Sequence, residues 1–170
     1  MQDLMRLNRD VSTLITPTGV NGGPVDFNST GDKYIYTPCG PIEIYRWGFI
    51  TDVAMDPDAG GFVIALDHRI TAGSDTGRTE KATITRADAE TVAAGKLVYG
   101  RVEIPVAEAT GVDGSKVNVG PNGPLRVNPG EQAVIEVTNA VGAASTGYVF
   151  IEYADLAFEK ADADVILETA

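Results

Sequence analysis

The stretch "RVNPGEQAVIEVTNAVGAASTGYVFIEYADLAF", Arg126 to Phe158, decides how the chain is read. Pro129-Gly130 opens a turn. Ala133, Ile135 and Val137 then alternate with Val134, Glu136 and Thr138, the period of two that marks a half-buried strand. Gly142 to Gly147 supplies the small residues of a loop, and Tyr148-Val149-Phe150-Ile151 restarts a strand whose two faces are both apolar. The pattern predicts a β-hairpin made to be packed on, with no catalytic motif in it.

Working outward, the same alternation recurs. "KYIYTPC" is a short aromatic strand. "PIEIYRWGFITDVAM" sets Ile42, Ile44 and Ile50 against Tyr45, Trp47 and Phe49, with Gly48 as the expected bulge. "GFVIALDHRI" puts Phe62, Ile64 and Leu66 on one face, and "RTEKATIT" reads as a polar edge strand guarded by Lys81. "KLVYGRVEIPVAEA" alternates Val98, Val102, Ile104 and Val106 with Tyr99, Arg101 and Glu103. One helix is expected over "RADAETVAA", capped by Thr85, with Asp88 three residues on and Gly95 to end it.

These elements predict an all-β chain: an antiparallel β-sandwich or jelly roll with one short helix and an extended N-terminal arm. A parallel α/β fold needs a helix between most strands, and only one is offered. Residues 1–32 read as the arm, because Pro17, Gly19, Gly22, Gly23 and Pro24 interrupt any long element. Residues 33–158 form the sandwich domain, and 159–170 a C-terminal tail with a small apolar patch at Val165, Ile166 and Leu167. At 170 residues, 44% of them hydrophobic, the chain suffices for one domain with a proper core.

Charge narrows the function. Twenty-four Asp and Glu against thirteen Lys and Arg give a net charge of −11. Phosphate binding needs a basic stripe, so nucleic acid is excluded as a partner. The longest apolar runs, such as "FVIAL", are far shorter than the roughly 20 residues of a membrane helix, so no membrane partner is expected. The start "MQDLMRLNRDVSTLI" lacks the basic and apolar regions of a secretory signal. Cys39, the only cysteine, permits no internal disulfide and reads as a small, semi-buried thiol.

Sites of chemistry are scarce. Asp56, Asp58 and Asp67 fall at positions 1, 3 and 12 of a calcium-loop template, with Gly61 at position 6, but flanking helices are missing. The competing reading is a turn that uses Asp and Gly for backbone reasons. His68 is the only histidine, short of the partners that zinc or a catalytic dyad needs. No nucleophile elbow or phosphate loop is present. No catalytic residue and no cofactor is therefore assigned, and the expectation is a protein that is not an enzyme. Tyr34, Tyr36, Tyr45, Trp47 and Phe49 crowd together, as core, as an interface between subunits, or as a sugar-stacking platform. The interface candidates are Leu4, Leu7, Val11, Tyr45, Trp47, Phe49, Ile166 and Leu167.

A flexible arm followed by an acidic sandwich, with "GKLVYGRVEIPVAEA" and "LRVNPGEQAVIEVTNAVGAASTGYVFIEY" in its second half, resembles the decoration (cement) proteins of tailed-bacteriophage capsids. The likeness rests on style over residues 33–158 and chiefly on 95–153, and it transfers no individual residue. It implies a non-enzymatic structural protein of the virion, made in the host cytoplasm. That protein binds the outside of the assembled capsid as a homotrimer and clamps neighbouring copies of the major capsid protein. The rival expectation is a carbohydrate- or receptor-binding module of a virion fibre, stacking sugars on Tyr45 or Trp47.

Overall fold

The computed structural model describes residues 11–15, 24–101, 109–110, 116–119 and 124–156. Leu4, Leu7, Ile166, Leu167 and the whole C-terminal tail lie outside the described residues, as do Val102, Ile104 and Val106. Twelve strands are described, β1 Val11–Ile15, β2 Val25–Asp26, β3 Gly31–Tyr36, β4 Ile42–Thr51, β5 Phe62–Arg69, β6 Thr79–Arg86, β7 Leu97–Arg101, β8 Ala109–Thr110, β9 Lys116–Val119, β10 Leu125–Val127, β11 Gln132–Asn139 and β12 Thr146–Asp155. They form two antiparallel sheets. In the first, the long strands β4 and β12 pair at the centre. β12 is flanked by β1 and β2, and β4 by β10 and β7. The second runs β3-β11-β5-β6-β9-β8.

One core lies between the sheets. Ile42, Ile44, Trp47, Phe49, Val149 and Ile151 of the first sheet pack with Phe62, Ile64, Leu66, Ile84, Ile135 and Val137 of the second. Its centre is aromatic: Phe27, Phe49 and Phe62 meet edge to face, with ring centroids 5.4–5.6 Å apart. Such contacts add to the area each ring buries. Phe27 is held in register by its own backbone, donating to Ser145 O at 3.0 Å and accepting from Val141 N at 3.1 Å. The folded body thus takes in residues on the N-terminal side of Lys33, with β2 and Phe27 built into it.

Several sequence expectations are corrected. Arg126–Phe158 is not a hairpin: β11 lies in the second sheet and β12 in the first, so the Ala140–Ser145 loop crosses between layers. The inward alternation of Ala133, Ile135 and Val137 holds nonetheless. The expected helix is absent, and no helix occurs among the described residues. Thr85 and Arg86 belong to β6, Ala89 takes a left-handed φ of 62°, and the N–H and C=O of Val92 are both spent on Met55 at 2.8 Å. A backbone that bonds across to another segment cannot also bond four residues along itself. β6, read as an edge, lies between β5 and β9.

The expected bulge falls elsewhere. Glu152 pairs with Arg46 and Tyr153 with Ile44, which leaves Tyr45 as the extra residue of β4. One extra residue reverses the parity of everything beyond it. Ile42 and Ile44 therefore face the core together with Trp47 and Phe49, while Ile50 is only half-buried. Gly48 instead makes room for β7, since a Cβ there would meet Tyr99 Cα at 2.8 Å and run into Val98 O. Gly48→Ala should therefore push β7 off β4 and cost about 1–3 kcal/mol, the usual range for overpacking, read as a lower urea midpoint.

Candidate functional site

Alternation along β5 that turns Ile64 and Leu66 inward sends Asp67 and Arg69 to the outer face of the second sheet. Glu136 of β11 and Asp32 of β3 are cross-strand partners and join them there. The chain then leaves β5, and the segment Ile70 to Arg78 is tied back to the same face. Ala72 N donates to Gly130 O at 3.0 Å and Gly73 N to Gln132 Oε1 at 3.0 Å.

At the centre is the Arg78 guanidinium. It donates through Nε to Asp67 Oδ2 at 2.6 Å, through Nη2 to Asp32 Oδ1 at 2.9 Å and to Glu136 Oε2, and through Nη1 to Asp75 Oδ1 at 3.3 Å. Arg69 supports it, reaching Asp32 and Asp75, each at 2.7 Å through Nη2. Two cations thus face four carboxylates. Burial works against the Arg78 charge, but Asp67 and Asp32 outweigh it and raise its pKa. Asp75 is held below the ordinary carboxylate range by its hydrogen bonds to Arg69 and Arg78. Ala65 and Val134 lie beneath the network, fully buried although they stand outside the inner core.

Three smaller polar groups lie elsewhere on the two sheets. His68 Nε2 meets Glu131 Oε2 at 3.0 Å, and the same oxygen accepts from Asn128 N at 2.8 Å, closing the turn before β11. Burial alone would raise the Glu131 carboxyl, yet the N–H groups of Asn128 and the His68 ring lower it. On the first sheet, Arg46 is paired with Glu152 and stands 4.6 Å over the Tyr99 ring. Tyr34, Tyr36 and Tyr153 cluster where β3 nears β12, and Tyr36 Oη donates to Tyr153 Oη at 3.3 Å. Burial, then the neighbouring Tyr153, pushes Tyr34 up to about 12.

The residues singled out from sequence are dispersed. Trp47 and Phe49 are fully buried in the core and present no surface to a sugar or a subunit. Tyr45 is half-buried and donates to Glu43 at 2.7 Å, beside its bulge. Val11 opens β1, opposite Ala154 of β12. Asp56 and Asp58 are not brought to Asp67. Asp58 closes its own turn, accepting from Gly60 N at 3.1 Å, whereas Asp67 lies near the far end of β5 on Arg78. Among the described residues no group of three His, Cys, Asp or Glu is arranged to hold a metal ion. Cys39, expected to be semi-buried, is exposed. Asp32, Arg69, Arg78 and Glu136 were not singled out from sequence, and their meeting is visible only once β3, β5 and β11 are laid side by side.

Comparison of the chain with protein families, with curated proteins and with solved structures finds no match.

Arg78→Ala should strand several half-buried carboxylates without their cation, costing about 3–5 kcal/mol in urea denaturation at neutral pH. Arg78→Lys should recover only part, since an ammonium cannot span the same fork. The Glu131 carboxyl, lowered in the fold, adds stability above the ordinary carboxylate pKa of about 4.3 and loses it as pH falls through the folded value. Glu131→Gln should therefore flatten the acid limb of a melting-temperature profile and leave its alkaline limb unchanged.

Proposed function

We propose that this chain is a non-enzymatic structural protein of a virion, which binds the outside of an assembled capsid and stabilises it by clamping neighbouring capsid subunits. In this reading it acts as a homotrimer on the major capsid protein after synthesis in the host cytoplasm. The observation that supports it most is the use made of charge. The densest group of ionisable residues braces three strands and a loop around one guanidinium, instead of presenting a base or nucleophile to a cleft. That is what a body loaded from outside requires. The likeness in style over residues 95–153 points the same way.

The finer architecture we read as a jelly roll. β4 pairs with β12 and β5 with β11, while the β4–β5 and β11–β12 connections both pass from one sheet to the other. In this reading the N-terminal segment, whose β1 pairs with β12, also reaches neighbouring subunits, and several such contacts from one trimer add by effective concentration.

The direct test counts copies. Mass spectrometry of purified particles should find this chain at hundreds of copies, comparable with the shell protein; a handful or none would overturn the proposal. A truncated chain beginning at Pro24, which keeps Phe27 and gives up only the end strand β1 of the first sheet, should stay folded and lose affinity for shells. Undiminished binding would remove the arm from the mechanism.

A further inference from the structure

The outer face of the second sheet has one unexplained atom. Asp67 is only 5% exposed, and while its Oδ2 takes the Nε–H of Arg78, its Oδ1 is buried without a hydrogen-bond partner. A buried carboxylate oxygen left unpaired is costly, and native structures rarely tolerate one without reason. The neighbour that explains it is Glu136, which takes Nη2 of the same guanidinium.

Nε–H and the adjacent Nη2–H of an arginine form one edge of a rigid fork, pointing the same way, and ordinarily the two oxygens of a single carboxylate fill that edge. Here two carboxyl groups from different strands fill it, Asp67 from β5 and Glu136 from β11. They are thereby held side by side. Asp32 of β3 also takes Nη2, adding a third negative group, with Asp75 of the loop and Glu80, cross-strand partner of Asp67 on β6, close by. Among the described residues, Arg69 and Arg78 are the cations paired with this group, reaching Asp32, Asp67, Asp75 and Glu136.

We infer that Asp67 and Glu136 hold one proton between them, the Glu136 carboxyl donating to the orphaned Oδ1 of Asp67, and that this proton latches the Ile70–Arg78 loop onto the sheet. The shared proton removes one negative charge and supplies the missing partner in a single step. Its loss to solvent returns both deficits beneath the loop. Burial, and then the charges of Asp67 and Asp32 against that of Arg78, hold Glu136 above the ordinary carboxylate range. A carboxyl raised in the fold adds stability at low pH and loses it as pH rises through the folded value, the opposite sense to Glu131.

Carboxyl-carbon NMR titration of the full chain, with Glu136→Gln as the companion variant, tests this. In the wild type the Glu136 signal should titrate above the ordinary carboxylate range. Glutamine donates a permanent N–H to the same oxygen, so E136Q should hold the loop without the proton. The melting temperature of E136Q should gain on the wild type as pH rises above the ordinary carboxylate value of about 4.3. Titration of Glu136 at or below the ordinary carboxylate value would overturn the proposal. So would an E136Q variant equally destabilised at every pH.

Discussion

A carboxylate that leaves water must bring its counter-charge with it, and the outer face of the second sheet is organised around that constraint. β5 and β11 lie inside their sheet, with the core on one face and, where Asp67 and Glu136 stand, the loop that follows β5 on the other. Covering the outer face with apolar residues alone would have left nothing to fix the loop. Covering it with Asp67, Glu136 and Asp32 required a cation that reaches all three, and Arg78 supplies it from the loop itself. The same contact that neutralises the strands therefore sets the position of the covering segment. Bracing and burial are one interaction.

The aromatic centre solves the complementary problem. Phe27, Phe49 and Phe62 come from three separate places in the chain, and their edge-to-face contacts join the two layers at one point. Between that point and the guanidinium on the outer face, the second sheet is fastened from both sides. A body of this kind resists deformation, which is the property the proposed role on a shell calls upon.

How much of this was legible follows from what each signal can encode. Ile64 and Leu66, and Ala133, Ile135 and Val137, were assignable to the core because a period of two survives wherever a strand is regular. Trp47 and Phe49 were misplaced because the parity change sits at Tyr45, a residue with no mark of a bulge, while Gly48, which carries that mark, is there to let β7 approach. The loop from Ala140 to Ser145 has the same small residues whether it turns within a sheet or crosses between two, so composition could not tell a hairpin from a crossing. The helix signal at Thr85 to Gly95 was local and genuine, but the pairing of Val92 with Met55 overrode it. The ionic site was illegible for a different reason. Its members stand at positions 32, 67, 69, 75, 78 and 136, and no window of sequence contains them together.

The pairing of β4 with β12 also bears on when the protein can fold. Thr51 finds its partner Gly147 only after a further 96 residues have been made. At the usual pace of synthesis, roughly 5–20 residues per second, the edge of β4 that β12 will occupy waits about 5–20 s for its partner. The central pairing of its sheet thus forms only after the whole of the second sheet has been made, and until then that edge of β4 carries unpaired N–H and C=O groups open to another strand.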